Sequence, residues 1–311
     1  MLRALVLGAA AGGGFPQWNC NHEGCRRARS GDANAKPQTQ SSIAASIDGN
    51  DWYLFNASPD LRQQFFDNPQ LHPNQGARHT PVAGVLLTNG DVDHIAGLLT
   101  MRESQAYSLY ATSRVHQVLH QNSIFQVLNP DFVVRREFEL DRSIELQKAD
   151  GTLSGIEVEP FAVPGKIALY LEDASAGENF GSQPEDTIGL RISSKATGKH
   201  FFYIPGCASV PEDLANRLSG APLLLFDGTL WHDDEMISAG TGVAKTGQRM
   251  GHMSMSGDGG TIATFAELGI ARKIFIHINN TNPVLLSDSP ERASLDEAGW
   301  QIARDGMEVQ I

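Results

Sequence analysis

Apolar residues in this chain fall into short runs, and each run stops abruptly at glycine, asparagine, aspartate or histidine. The runs at 2–7, 42–47, 51–56, 82–88, 156–163, 188–193, 200–204, 223–226 and 273–277 predict strands. Several are apolar at almost every position, as strands covered on both faces must be. Helical spacing predicts helices over 58–66, 94–102, 113–121, 212–218 and 259–268. Runs of strands pass into strand–helix alternation, and then the order repeats. That order predicts an α/β protein whose two sheets pack face to face with helices outside, a four-layer αββα sandwich. No fixed-period repeat, long linker or low-complexity tract interrupts the 311 residues, so one domain spanning 1–311 is expected. The stretches 172–185 and 231–251 read as long mobile loops, the kind that often cover sites.

Composition narrows the function classes. Hydrophobic residues make up 41%, and 31 glycines and 15 prolines agree with many turns between short strands. Acidic residues number 36 against 24 basic ones, a formal net charge of -12. Such a surface repels phosphate backbones, so no nucleic-acid partner is expected. No run of about 18 apolar residues is present, which predicts no membrane-spanning helix. The opening residues 1–8 look like a first strand rather than a signal peptide. Three cysteines, two of them five positions apart, fit a cytoplasmic protein and metal ligation better than a disulfide framework.

The chemistry gathers at the ends of the predicted strands. Thr88-Asn89-Gly90-Asp91-Val92-Asp93-His94 reads as a two-metal hydrolase motif, His-x-His-x-Asp-His, with Asn89 and Asp91 in place of its first two histidines. Helix capping accounts for one aspartate there, but not for polar residues at alternate positions followed by histidine. A second strand ends in His277-Ile278-Asn279-Asn280-Thr281-Asn282. If His277 meets Asp93 and His94, two imidazoles and one carboxylate form a facial triad with positions free for dioxygen and substrate, the arrangement of non-haem Fe(II) oxygenases. Asp91, His252 and Asp227 are the candidate catalytic residues around it. His252, in Gly251-His252-Met253-Ser254, could be a base, a donor supporting a ligand, or a ligand itself. Asp227 closes an apolar run as a ligand or hydrogen-bond anchor. Cys207 could line the site, although a buried inert thiol is the simpler expectation. The glycine-rich segment 8–14 follows a strand but runs into Phe15-Pro16, so no helix N-terminus can receive a dinucleotide pyrophosphate. A tight turn close to the metal site is expected instead. Cys20-Asn21-His22-Glu23-Gly24-Cys25 offers three zinc ligands within six residues, so a structural zinc-binding turn is expected at about 18–28.

Taken together, these segments resemble the pyrroloquinoline quinone biosynthesis protein B family of the metallo-β-lactamase superfamily, over the whole length. The resemblance implies the metallo-β-lactamase type of αββα sandwich and a role in making that quinone from a ribosomal peptide. The implied step is iron- and oxygen-dependent hydroxylation of the tyrosine-derived ring of the precursor, with Fe(II) on Asp93, His94 and His277. Its partners would be a small aromatic amino-acid-derived precursor, dioxygen and other proteins of the pathway. A non-enzymatic carrier of the quinone and a metal-dependent hydrolase are the alternatives. Where the superfamily has a Pro-Gly-His turn, Val163-Pro164-Gly165-Lys166 brings lysine, and the place of its later aspartate falls near Gly206-Cys207. These departures weaken a two-zinc hydrolase. By similarity to a phosphodiesterase of the carbon–phosphorus lyase pathway, Asn280 falls at the fourth zinc position. Lys166, Arg102 and Arg191 are candidate partners for substrate carboxylates.

Overall fold

The computed structural model describes residues 1–177, 179–242 and 245–311. In chain order its strands are β1 (Arg3–Gly8), β2 (Ser42–Ser46), β3 (Trp52–Phe55), β4 (Val82–Leu86), β5 (Tyr107–Thr112), β6 (Val133–Phe138), β7 (Ile144–Gln147), β8 (Leu153–Ala162), β9 (Ile188–Ser194), β10 (His200–Ile204), β11 (Leu224–Asp227), β12 (Lys273–Ile276), β13 (Trp300–Ile302) and β14 (Glu308–Gln310). They form two seven-stranded sheets, ordered β14-β1-β2-β3-β4-β5-β6 and β13-β12-β11-β10-β9-β8-β7.

Alternation along each strand builds the layers. On β3, Tyr53 and Phe55 enter the space between the sheets, where they join Val6, Ile43, Leu86, Val158, Leu190, Tyr203, Leu225 and Ile274. Trp52 and Leu54 point the other way, under Leu61, Leu98, Val115 and Leu119. The second sheet repeats the rule, with Phe202, Leu224, Phe226 and Phe275 packed against Leu214, Leu218, Phe265 and Leu295. Helix, sheet, sheet, helix is the observed stacking, the expected four-layer αββα sandwich.

Every strand expected from the apolar runs is present, with small shifts at the ends. β13 and β14 are only three residues long and rest on the register of β12 and β1, so no local pattern announces them. The helix expected over 94–102 breaks after Val92–Ile95 into a tighter 3-10 stretch, Ala96–Met101. Two bonds pin it: Ala57 N donates to His94 O at 2.7 Å, and Gly97 N to Ala57 O at 2.9 Å. A Cβ at Gly97 would lie 2.2 Å from Ser58 O, so only glycine permits this approach. The helix expected over 259–268 shortens to Thr261–Thr264, and that over 58–66 begins at Leu61. The two long loops carry short helical turns at Ala174–Ala176, Glu235–Ser238 and Gly247–Met250, which a featureless mobile loop would lack. Glu178, Val243 and Ala244 of those loops lie outside the described residues. No helix among the described residues is long and apolar enough to cross a membrane.

β10, β11 and β12 run parallel and release their chains at one end. That end brings Cys207, Asp227 and His277 together, as strand ends do in α/β proteins.

Candidate metal centre

His94 is buried, and its Nδ1 lies 2.7 Å from Asn89 Oδ1. The same oxygen accepts Asp91 N at 3.1 Å, which fixes it as the amide's acceptor end. Nδ1 must therefore carry the proton, and Nε2 keeps a bare lone pair. That Nε2 is buried without a hydrogen-bond partner. Burial pulls the imidazole down to about 4, so it is neutral, as a metal ligand must be.

His277 is the first residue beyond β12 and adopts φ 61°, a left-handed conformation that costs a non-glycine residue roughly 1–3 kcal/mol. Its neighbours hold it there, with Ile278 N on Ala9 O at 3.0 Å and Ala11 N on Ile278 O at 2.8 Å. Thr229 Oγ1 lies 2.6 Å from Asp227 Oδ1 and 2.9 Å from His277 Nδ1. The hydroxyl proton goes to the carboxylate, so the oxygen accepts from Nδ1–H of His277. Nε2 of His277 then faces Asp93 Oδ2 at 3.1 Å, acceptor against acceptor. Only a proton or a cation between them makes that contact favourable. Burial opposes charge on His277, but Asp93, Asp227 and Asp91 outweigh it and raise its proton affinity. Burial likewise pushes the Asp93 carboxyl up, yet His94 and His277 hold it below the usual range. The expected close turn is present too, since a Cβ at Gly12 would stand 3.3 Å from Asp93 Oδ2.

Among the described residues, two sets of three have ligand atoms all within 4.8 Å of one another: Asp93, His94, His277 and Asp227, His252, His277. Their chemistry differs. The first turns the unpartnered Nε2 of His94, Nε2 of His277 and the Asp93 carboxylate towards one another, which suits a cation. The second is already closed. Asp227 accepts from Cys207 N at 2.9 Å, Thr229 N at 3.0 Å, Thr229 Oγ1 and His252 Nδ1 at 2.7 Å. Burial pushes its carboxyl up, but His252, His277 and Thr229 bring it below the ordinary value. Asp227 thus makes the contacts of a hydrogen-bond anchor, while its carboxylate still lies within 4.8 Å of ligand atoms of His252 and His277.

His252 stacks on His277, ring centroids 5.2 Å apart, and is half-buried. Asp91 stands at the N-cap of Val92–Ile95 without a side-chain cap bond, so capping does not account for it. Burial and the Asp93 charge raise its carboxyl to about 6. The Cys207 thiol is buried and raised by that burial, an inert group that donates to Ser209 O at 3.1 Å.

Of the three basic residues singled out, only Lys166 reaches the centre, and Asp91 feels its charge. Arg102 is exposed beside Glu103, and Arg191 lies near Glu159 on the far reach of β9. Residue type had suggested these two, but their strands and turns carry them elsewhere. Two residues escaped the sequence reading, Thr229 and Arg249, as did the tautomer-setting role of Asn89. The one hint was the polar Gly-Thr that follows Asp227.

The cysteine segment is a loop entering the helix Glu23–Arg29, with Cys25 inside that helix. His22 N lies 3.4 Å from Cys20 Sγ, and Asn280 Nδ2 lies 3.4 Å from Cys25 Sγ. Nδ1 of His22 is buried without a partner, but Cys20, His22 and Cys25 are not among the sets of described residues whose ligand atoms lie within 4.8 Å of one another, so the expected convergence of the three is not seen. Asn280 meets Cys25 with its amide N–H, the posture of a donor that supports a thiolate.

The comparisons agree with this geometry. A model of the beta-lactamase superfamily domain matches residues 51–278. Coenzyme PQQ synthesis protein B of Rhodopseudomonas palustris is 55% identical over the full length of both chains, and that of Bradyrhizobium diazoefficiens is 56% identical, also over the full length of both. The solved structure of Zn(2+)-bound PqqB from Methylobacterium extorquens superposes with a TM-score of 0.93 at 50% identity, covering 99% of this chain and 100% of that one. A diphosphatase of the PhnP family, at 19% identity and a TM-score of 0.67, shares the fold.

Proposed function

This chain belongs to the coenzyme PQQ synthesis protein B family of the β-lactamase superfamily, and on that premise we propose that it is a non-haem Fe(II)-dependent hydroxylase of the tyrosine-derived ring of a peptide-derived precursor. Its role in PQQ biosynthesis follows from the family; the reaction is our reading. One observation carries it: Asp93, His94 and His277 present bare acceptors to a common point, while the neighbouring set is saturated. A single ion on that triad, with coordination positions to spare, supplies activation of dioxygen when iron is bound.

The protein's own residues do the remaining work. Asn89 and Thr229 hold both imidazoles in the tautomer that frees Nε2. His252, its Nδ1 anchored on Asp227, keeps Nε2 to take the phenolic proton as the ring is oxidised. Asp91 is the second candidate proton carrier, its carboxyl raised to about 6. Cys20, His22 and Cys25, once drawn together, would hold a structural zinc tying the N-terminal loop to the Asn280 segment, with Asn280 donating to Cys25. The cysteines are free, which fits a cytoplasmic location.

The Zn(2+)-bound relative keeps a zinc hydrolase as the competing reading, since this ligand set accepts either metal. Protein purified without air decides between them. Metal analysis should find about one iron per active site, and oxygen uptake should follow addition of a tyrosine-derived substrate. His94→Ala and His277→Ala should lose both. Two metals bridged at this centre, or full turnover in either variant, would sink the assignment.

A further inference from the structure

Lys166 and Glu172, on the loop between β8 and β9, meet Arg249 of a second loop at the edge of the metal centre. Arg249 grips the Glu172 carboxylate with both ends of its fork, at 3.1 Å and 2.7 Å, and Lys166 Nζ bonds the same carboxylate. Arg249 pulls the Glu172 carboxyl down to about 2, with Lys166 adding to the effect. The Arg249 guanidinium lies 3.8 Å above the Phe180 ring. The Lys166 segment is built into the centre: Thr187 Oγ1 donates to Lys166 O at 3.0 Å, Thr187 bridges to Asn89, and Tyr170 Oη donates to Gly90 O at 2.6 Å. On its other side, Gly251, next to His252, packs against the Lys166 stem.

Three features separate this cluster from an ordinary surface ion pair. Two cations share one carboxylate, which leaves a net positive charge beside Asp91 in a chain whose formal charge is -12. The carboxylate side chain is only 11% exposed and the lysine 17%, so the grouping is partly desolvated and worth more than an exposed pair. Glu172 also sits in irregular chain just after the 3-10 turn Leu169–Leu171, where Leu169 and Tyr170 are exposed, so little apolar packing fixes it. Planar bidentate geometry on a guanidinium, with an ammonium alongside, is how proteins recognise carboxylates.

We propose that Lys166 and Arg249 form a receptor for a substrate carboxylate at the rim of the metal centre, and that Glu172 is its resident occupant, displaced when a carboxylate-bearing ligand binds. The inference rests on the reading that this centre acts on a small molecule, and it names the group by which that molecule is held. The ligand class is an anionic carboxylate, with an aromatic body suited to the Phe180 and Tyr170 neighbourhood.

The test uses the full-length zinc-loaded protein, every variant at the same loading, so its outcome is independent of iron chemistry. The probe is benzene-1,3,5-tricarboxylate, followed by calorimetry at low and moderate salt. Glu172→Gln keeps the shape of the side chain and removes the competing charge. It should bind the probe about tenfold or more tightly than the parent chain, as loss of a competing charge-assisted contact implies. Adding Lys166→Met or Arg249→Met to that variant should abolish the gain, and rising salt should weaken it. Thermal melts of each variant establish that it is folded. A Glu172→Gln protein that binds no tighter than the parent overturns the proposal, as does a gain that survives loss of either cation. Failure here, with oxygen uptake and iron binding intact, would leave the hydroxylase reading standing.

Discussion

His277 divides the centre into two unlike halves. On its Nε2 side lie Asp93 and His94, where acceptors face one another and Nε2 of His94 has no partner at all. On its Nδ1 side lie Thr229, Asp227 and His252, where the carboxylate is met by four donors. One ring serves both, and the contrast separates what the fold needs from what the chemistry needs. The saturated half is ordinary buried-polar architecture, satisfied and rigid. The other half is poorly satisfied as protein alone, which marks it as the place built for something else.

The same isosteric change on each side gives the largest test of this division. Asp227→Asn sets an amide N–H against donors such as Cys207 N or Thr229 N that have no other acceptor, and breaking such a buried charged network costs about 3–5 kcal/mol. Asp93→Asn should cost the metal-free protein about 1 kcal/mol or less, because the amide N–H introduced there can donate to His277 Nε2. Denaturant unfolding of both metal-free variants measures the difference. Equal losses would mean that the two halves are alike.

Acid offers the next contrast. His94 has a folded value near 4 against an unfolded value near 6.5, because burial disfavours its charge. At this residue the unfolded chain therefore binds more protons between those values, and the His94 contribution costs the metal-free protein up to about 3 kcal/mol as pH falls through that window, opposed by carboxyls such as Asp91 whose folded value is raised. His277 works in the opposite sense. Its folded value is raised, so its contribution is complete below about 6.5 and fades as pH rises through the folded value. His94→Gln should flatten the acid limb alone. An unchanged slope between pH 6.5 and 4 would contradict the buried neutral assignment.

How much of this could be read beforehand follows the same division. Strands such as β4 and β12 were legible because they are apolar on both faces and stop at polar residues. Asp93, His94 and His277 were legible for that reason too, since the ends of buried runs are where side chains reach a site. The closed half was not. Thr229 is one hydroxyl in a turn, and its importance comes from Asp227, His252 and His277 arriving from different segments. Asn89 looked like a missing ligand. In the folded chain it sets the tautomer of the ligand that remains. Arg249 was hidden in a loop without pattern, whereas Lys166 stood out because it follows a Pro-Gly turn. Composition could not rank Lys166 above Arg102 or Arg191, because only the path of the chain decides which cation reaches the centre.

The smallest predicted effect probes the link between the halves. If Thr229 holds His277 Nδ1–H, then Thr229→Val removes the acceptor and frees the ring to change tautomer or rotate, while keeping the side chain's volume. Loss of a partner that orients a metal-bound imidazole weakens metal affinity by roughly 10–100-fold. Thr229→Ser keeps the hydroxyl and should restore most of the affinity despite the lost methyl group. Chelator competition with Co(II) reports the affinity, and the visible spectrum of bound Co(II) reports ligand geometry, both without turnover. A spectrum altered in the valine variant and recovered in the serine variant would tie the saturated half to the open one through a single hydroxyl. If valine and serine weakened binding equally, the effect would be one of packing, and the two halves would be merely adjacent.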